Sequence, residues 1–269
     1  MNNRALIIAE IGENHGGDWQ LARYMIAKAA RAGVDAVKFQ SYLGSDVAET
    51  DAEKEWFTKV QVPDGMHFEL KAYARQCGVE FMSTPFSLGR ARFLVEEVKL
   101  RKIKVASSEM LNFSILDYIN GHVDWVFLST GLATLEEIKV AVAHLDRVPH
   151  VCLMQCTTQY PCPPDQANLL VLRTLQQMFP HLQVGYSDHT IGTLASTLAR
   201  AFGAEVIEKH FTTDKTLPGT DHILSADPTE MAQLVRDIRA AEVLLGEAEK
   251  RPTHGEEAIK QMVRSRFPK

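Results

Sequence analysis

Two histidines stand beside carboxylates at the ends of short apolar runs. GYSDHTIGT (185–193) brings Ser187, Asp188, His189 and Thr190 together, and VIEKHFT (206–212) repeats the design with Glu208 and His210. Imidazoles ending adjacent strands can approach each other and chelate one divalent cation, leaving positions open for water and substrate. The plainer alternative is a pair of hydrogen-bonded histidines with no metal. Asp188 and Glu208 favour the cation, because they could orient the rings or bind substrate hydroxyls. Only two firm protein ligands would hold the ion loosely, which suits manganese or magnesium better than structural zinc.

A second set concerns anions. Lys38 in AVKFQ and Lys104 in KIKVAS lie inside otherwise apolar segments, where a buried ammonium is costly unless an anion compensates it. Polar residues also crowd the ends of the other apolar runs: Glu10 and His15, Gln40, Ser83 and Thr84, Ser107 and Glu109, Ser129 and Thr130, and Thr157, Thr158 and Tyr160. Serine or threonine after a strand often caps the next helix, and that reading stays open for Ser107, Ser129 and Thr190 taken singly. Two lysines and several hydroxyls converging on one place describe a phosphate or carboxylate pocket.

Convergence requires a frame. Short β-branched runs at 6–12, 36–40, 79–85, 102–107, 125–130, 151–157, 183–189 and 205–211 alternate with amphipathic segments such as 19–33, where Leu21, Met25, Ala29 and Ala32 recur at helical spacing and Gly33 suits a C-terminal cap. The last helical segment is 228–247. Eight strand–helix pairs select a closed (β/α)8 TIM barrel, of class α/β and a single domain, over an open doubly wound sheet. The strands' C-terminal ends then form the mouth where the polar residues gather. The stretch 41–65 reads as an active-site lid or a crossing loop.

The 269 residues are 45% hydrophobic and 23% charged, with a formal net charge of −5 from 29 basic and 34 acidic residues. That balance offers no broad basic surface for nucleic acid. No apolar run of roughly 18 residues marks a membrane span, and the N-terminus lacks the pattern of a secretory signal, so a cytoplasmic protein is expected. Cys77, Cys152, Cys156 and Cys162 have neither paired metal-site spacing nor a secretory context, and Cys152 and Cys156 read as buried strand residues.

Taken in order, IAEIGENHGG, AVKFQ, FMSTPFS, KVASSE, LSTGLAT, QCTTQYPCP, GYSDHT and IEKHFTTDKTLPGTDH resemble the sialic acid (nonulosonate) synthase family, with consistent spacing from about residue 5 to 266. The resemblance implies a barrel enzyme, a transferase that condenses phosphoenolpyruvate with an aldose, N-acetylmannosamine or a related sugar, to give a 2-keto-3-deoxy sugar acid and phosphate. It implies that Lys38, Thr84, Lys104, Ser107, Ser129, Ser187 and Thr158 hold phosphoenolpyruvate. Glu10, Tyr160, Glu208 and Asp221 would contact the sugar, with Glu10 or Glu208 handling the water. His189 and His210 would bind the metal, Mn2+ before Mg2+.

Family members usually continue into an antifreeze-like domain that reaches a partner's site in a domain-swapped dimer. Here residues 1–249 read as the barrel, and KRPTHGEEAIKQMVRSRF (250–267), within the tail 250–269, resembles the linker to that domain, so a separate antifreeze-like polypeptide is an expected partner and a homodimer is possible. Gln155 stands where the family commonly has histidine, Thr158 where asparagine or serine is frequent, and Glu13 where an apolar residue is usual; Glu13 would either face solvent, the expected reading, or add a polar contact to a different sugar. Two other readings are a related barrel aldolase or condensing enzyme acting on a phosphorylated sugar, with Arg90 or Lys215 binding the distal phosphate, and a ligand-binding subunit without turnover.

Overall fold

Alternation of inward and outward side chains sets the architecture. The structure, a computed structural model describing residues 4–267, contains eight parallel strands: β1 (Leu6–Gly12), β2 (Ala36–Ser41), β3 (Glu80–Pro85), β4 (Lys102–Val105), β5 (Trp125–Ser129), β6 (His150–Gln155), β7 (Gln183–Asp188) and β8 (Val206–His210). Hydrogen-bonded neighbours run β3-β2-β1-β8-β7-β6-β5-β4, so the barrel closes on itself except along the β3–β4 seam, which has no ladder among the described residues. Each strand candidate read from the sequence is present, with ends moved by a residue or two.

The helices are α1 (Trp19–Ala32), α2 (Lys54–Val60), α3 (Asp64–Gln76), α4 (Leu88–Arg92), α5 (Phe113–Ile119), α6 (Leu135–Ala143), α7 (Val171–Met178), α8 (Leu194–Ala201), α9 (Pro228–Leu245) and α10 (His254–Arg264). Their ends follow from local chemistry. Asp18 accepts from the backbone N–H groups of Gln20 and Leu21 to start α1, and Gly33 stops it at φ +93°, a conformation most side chains resist. Asp227 and Glu230 form a capping box around Pro228 at the start of α9. The 41–65 stretch differs from the loop expected: it winds into a short 3-10 turn at Gly44–Asp46 and then α2. None of α10's side chains is buried, and no helix among the described residues is long and apolar enough to cross a membrane.

Two apolar layers result. Outward strand residues such as Ile7, Val37, Phe81, Ile103, Val126, Leu153, Val184 and Ile207 pack under the helices. Inward residues Ile8, Ala36, Met82, Phe127, Cys152, Met154 and Val206 fill the barrel axis and make a solid floor. One step further along, the inward positions are polar on β1 (Glu10), β2 (Lys38), β3 (Thr84), β4 (Lys104), β5 (Ser129), β7 (Ser187) and β8 (Glu208), while on β6 the position is Cys156.

Candidate active site

Strand register assembles the site. β1 and β2 pair with Glu10 opposite Lys38, β2 and β3 with Gln40 opposite Thr84, β7 and β8 with Ser187 opposite Glu208, and β1 and β8 with Glu10 opposite His210. These residues, with Lys104, Ser129 and Tyr160, line a cavity of about 440 Å³ at the barrel mouth. All the predicted site residues, Glu10, Lys38, Thr84, Lys104, Ser107, Ser129, Thr158, Tyr160, Ser187, His189, Glu208, His210 and Asp221, face this one cavity. A larger cavity of about 810 Å³ opens at the opposite end of the β3–β4 seam, around Val79, Phe81 and Arg101, away from this chemistry.

The cavity floor is a chain of charge running Glu10–Lys38–Glu208–Lys104. Lys38 Nζ lies 2.8 Å from Glu10 Oε2 and 3.7 Å from Glu208 Oε1, and donates to Thr84 Oγ1 at 3.1 Å. Lys104 Nζ lies 3.8 Å from the same Glu208 oxygen and donates to Ser129 Oγ at 2.6 Å; Ser187 Oγ donates to Glu208 Oε1 at 3.0 Å. Both ammonium groups are almost fully buried, which is tolerable because each has an anion and a hydroxyl. Burial outweighs the attraction of Lys38 and pushes the Glu10 carboxyl up to about 7, with Glu208 adding repulsion. For Glu208 burial also acts upward, but Lys104 and Lys38 overcome it and hold the group below the usual carboxylate range. Burial lowers Lys104, whereas Glu10 and Glu208 more than offset burial for Lys38, which is raised.

Beside this chain of charge the His189 and His210 ring centroids are 5.4 Å apart. His189 Nδ1 lies 2.8 Å from the Thr157 carbonyl, an arrangement in which Nδ1 donates and Nε2 is left as an electron-pair donor. His210 Nδ1 is buried without a hydrogen-bond partner, and Asp221 Oδ2 is 3.4 Å from it. Burial, reinforced by His210, lowers His189 to about 4; burial, reinforced by Lys38, lowers His210 to about 3. Two neutral imidazoles at this spacing, one with an orphaned nitrogen, would suit a divalent ion. Among the described residues no group of three His, Cys, Asp or Glu side chains is placed to hold a metal, so this donor set would need ligands from outside it. Tyr160 covers the pair, its ring 4.2 Å from His189.

A third wall comes from the loops after β4, β5 and β6. Ser107 Oγ accepts the Gly131 N–H at 3.1 Å and lies 3.1 Å from Cys156 Sγ, while the Thr158 hydroxyl is buried without a partner. Gly131 is required here: a Cβ would come within 2.2 Å of Thr158 Oγ1 and 2.7 Å of Ser107 Oγ.

Several sequence expectations change. Asp188 faces outward, since the period of two sends it to the opposite side from Ser187 and His189: it pairs with Lys209 at 3.4 Å and accepts from Thr190 and Ser196, so it neither orients the histidines nor meets a substrate. Ser83, Thr130 and Thr157 donate to the carbonyls of Phe39, Met154 and Gln166. His15 is buried, accepts the Gly17 N–H and packs on Trp19. Gln155 reaches the Ala167 carbonyl, away from the mouth. Arg90 is bound to Ser41 and Asp64, and Lys215 to Glu230; neither lines the cavity. Glu13, expected in solvent, instead lines the mouth, accepting from Tyr42 Oη at 2.9 Å and Trp56 Nε1 at 2.7 Å. Its partners lie 29 and 43 residues away, and only the long 41–65 segment, with its aromatics Tyr42, Trp56 and Phe57, hinted at such a clamp.

Barrel and mouth together define a (β/α)8 enzyme that works at the C-terminal ends of its strands. The chain belongs to the NeuB family, whose model matches residues 25–250. An N,N'-diacetyllegionaminic acid synthase of Legionella pneumophila is 38% identical over 279 residues, covering 96% of this chain and 78% of that protein. The human N-acetylneuraminate-9-phosphate synthase is 34% identical, covering 89% of this chain and 71% of its own. The crystal structure of an N-acetylneuraminic acid synthetase of Leptospira borgpetersenii, in complex with citrate, superposes with a TM-score of 0.92 at 34% identity, covering 98% of this chain and 93% of that one. The chain is therefore an enzyme of the synthase class by family.

Proposed function

We propose that this enzyme condenses phosphoenolpyruvate with an N-acylated aldose, releasing phosphate and a 2-keto-3-deoxy sugar acid. The observation that carries the reading is the buried Lys38–Lys104 pair, ringed by Thr84, Ser107, Ser129, Ser187 and the unpartnered Thr158 hydroxyl. Such a floor neutralises and orients a small, doubly anionic substrate.

The chemistry follows from the substrate. Phosphoenolpyruvate C3 attacks the aldehyde carbon, the aldehyde oxygen gains a proton, and positive charge develops at C2. Water adds there and loses one proton; the C2–O bond to phosphate then breaks with its electron pair leaving on the phosphate, while the C2 hydroxyl gives its proton to the departing phosphate and becomes the ketone. Glu10 is the group to accept the proton lost by water, because Glu208 is fixed as an anion by two lysines and a serine. Tyr160, Asp221 and the outer carboxylates orient the sugar. A divalent ion held by His189 and His210, Mn2+ or Mg2+, supplies Lewis-acid polarisation of the aldehyde oxygen when bound.

The test is phosphate release from phosphoenolpyruvate by the full chain with Mn2+ and a panel of aldoses, with and without an antifreeze-like polypeptide added. Oxygen-18 water should label the sugar acid and leave the phosphate unlabelled. Use of pyruvate without phosphate release, or no release across the panel, overturns the reading in favour of an aldolase or another condensing enzyme.

A further inference from the structure

We infer that Glu13 is a specificity-determining residue: it accepts a hydrogen bond from a hydroxyl or amide N–H on the end of the aldose farthest from the aldehyde, and it disfavours a phosphate there. The inference rests on the synthase reading above and adds the substrate's outer end to it.

Glu13 is held for the purpose. Tyr42 donates to Oε1 and Trp56 to Oε2, from two different elements, and each carboxylate oxygen keeps a further acceptor position. The clamp is itself fixed. Tyr42 is edge-on to Phe57 and Phe86, with centroids 5.5 and 5.8 Å away, and the Trp56 ring lies against Gly219, where an added Cβ would be in van der Waals contact with Cζ2 at 3.4 Å. Three loops, after β1, β2 and β8, are thereby joined around one carboxylate on the outer wall of the mouth. A carboxylate serving only as a brace for Tyr42 and Trp56 would have no need to line the cavity.

The charge of that wall sets the selectivity. Glu53 and Asp221 line the cavity with Glu13. The lining cations are Lys38 and Lys104, both on the floor and engaged by Glu10 and Glu208. Arg90 and Lys215, the candidates for a distal phosphate, are bound elsewhere. A sugar phosphate would place its dianion against carboxylates, whereas a hydroxyl or amide would donate to one.

The experiment compares N-acetylmannosamine with its 6-phosphate, as aldose in the phosphate-release assay, for the wild type, E13Q and E13R. The wild type should prefer the unphosphorylated sugar by about tenfold or more in kcat/KM, expressed in KM. E13Q should raise KM for that sugar roughly tenfold with kcat nearly unchanged, and E13R should improve use of the phosphate. Stabilisation by phosphoenolpyruvate alone, read as a thermal shift, should be the same in all three and serves as the check on folding and on the floor. Equal handling of both sugars by the wild type, or KM values unmoved by either substitution, overturns the role of Glu13 while the synthase reading stands. If neither sugar is turned over, calorimetric titration of each into the protein decides: preferential binding of the unphosphorylated sugar, lost in E13Q, supports the inference, and equal or absent binding overturns it.

Discussion

Glu10 and Glu208 both reach the Lys38 ammonium, at 2.8 and 3.7 Å, yet their acidities move in opposite directions. Burial alone would raise both. Glu208 has a second ammonium, Lys104, and the Ser187 hydroxyl, which outweigh burial; Glu10 has only Lys38 and the weak contact of Gln40 Nε2 at 3.3 Å. The barrel thus makes two roles from one residue type, a fixed anion and a carboxyl that exchanges its proton near neutrality.

Substituting Glu10 by Gln should therefore remove turnover while sparing binding. The expected loss in kcat is about 10²- to 10⁴-fold, the usual worth of a positioned base, with phosphoenolpyruvate affinity kept within a few fold. The free-enzyme pH profile gives the sharper test. If ionised Glu10 accepts the proton, kcat/KM rises through a midpoint near pH 7 and levels off above it. Glu13 is also pushed up to about 7, by burial. E13Q keeping the limb, and E10Q losing it, would assign the midpoint to Glu10.

Glu208→Gln should act on stability first. Removing the shared anion leaves Lys38 with Glu10 alone and Lys104 with no carboxylate inside 4 Å, both buried. Breaking a buried pair in this way costs about 3–5 kcal/mol, measurable as a fall in the urea midpoint. Inorganic phosphate should recover part of it, because an added anion replaces the missing one. An E208Q protein as stable as the wild type would show that the two lysines do not depend on this carboxylate.

The strands and the mouth are legible in the sequence for one reason: a period of two with a polar break at the C-terminal end survives any packing detail. Lys38, Lys104, Ser187, Glu208 and His210 can be placed from alternation alone. Asp188 misleads because adjacency in sequence is not adjacency in space, a strand sending neighbours to opposite faces. Glu13 misleads for the converse reason, since its partners come from a segment 29 to 43 residues on and no local pattern announces them. The α2 turn escapes notice because a seven-residue helix carries too few apolar repeats to show a period.

Adding Mn2+ should stabilise the protein, and the gain should vanish in H189A and H210A. Metal binding normally competes with protons for imidazole, but here burial keeps both rings neutral down to about pH 4 and pH 3, so the ion meets ready donors at neutral pH. The rise in melting temperature is expected to persist without any substrate and to reverse with a chelator. Paramagnetic resonance of free Mn2+ would count the bound ion directly. An unchanged melting temperature together with undiminished free signal would reject the His189–His210 site.

His67 predicts how the fold responds to acid. It is fully buried, 3.1 Å from the Pro63 carbonyl through Nδ1, edge-on to Phe93, and its Nε2 has no partner. Burial lowers it from 6.5 to about 4, the nearby Arg90 acting in the same direction. The unfolded chain then takes up a proton below pH 6.5 that the folded chain refuses until about pH 4, so this contribution to stability is intact above 6.5 and is lost as the pH falls through that window. Glu10 and Glu13, raised to about 7, work the other way, losing stability as pH rises, so the total slope does not isolate His67. Comparison with H67F does, because every other group is common to both proteins. Between about pH 7.5 and 4.5 the wild type should lose roughly 2–3 kcal/mol relative to H67F in urea unfolding, since one proton taken up only by the unfolded chain costs about 1.4 kcal/mol for every pH step of one across the window. Parallel pH profiles would mean that His67 is protonated in the folded barrel, with its Nε2 reaching an acceptor.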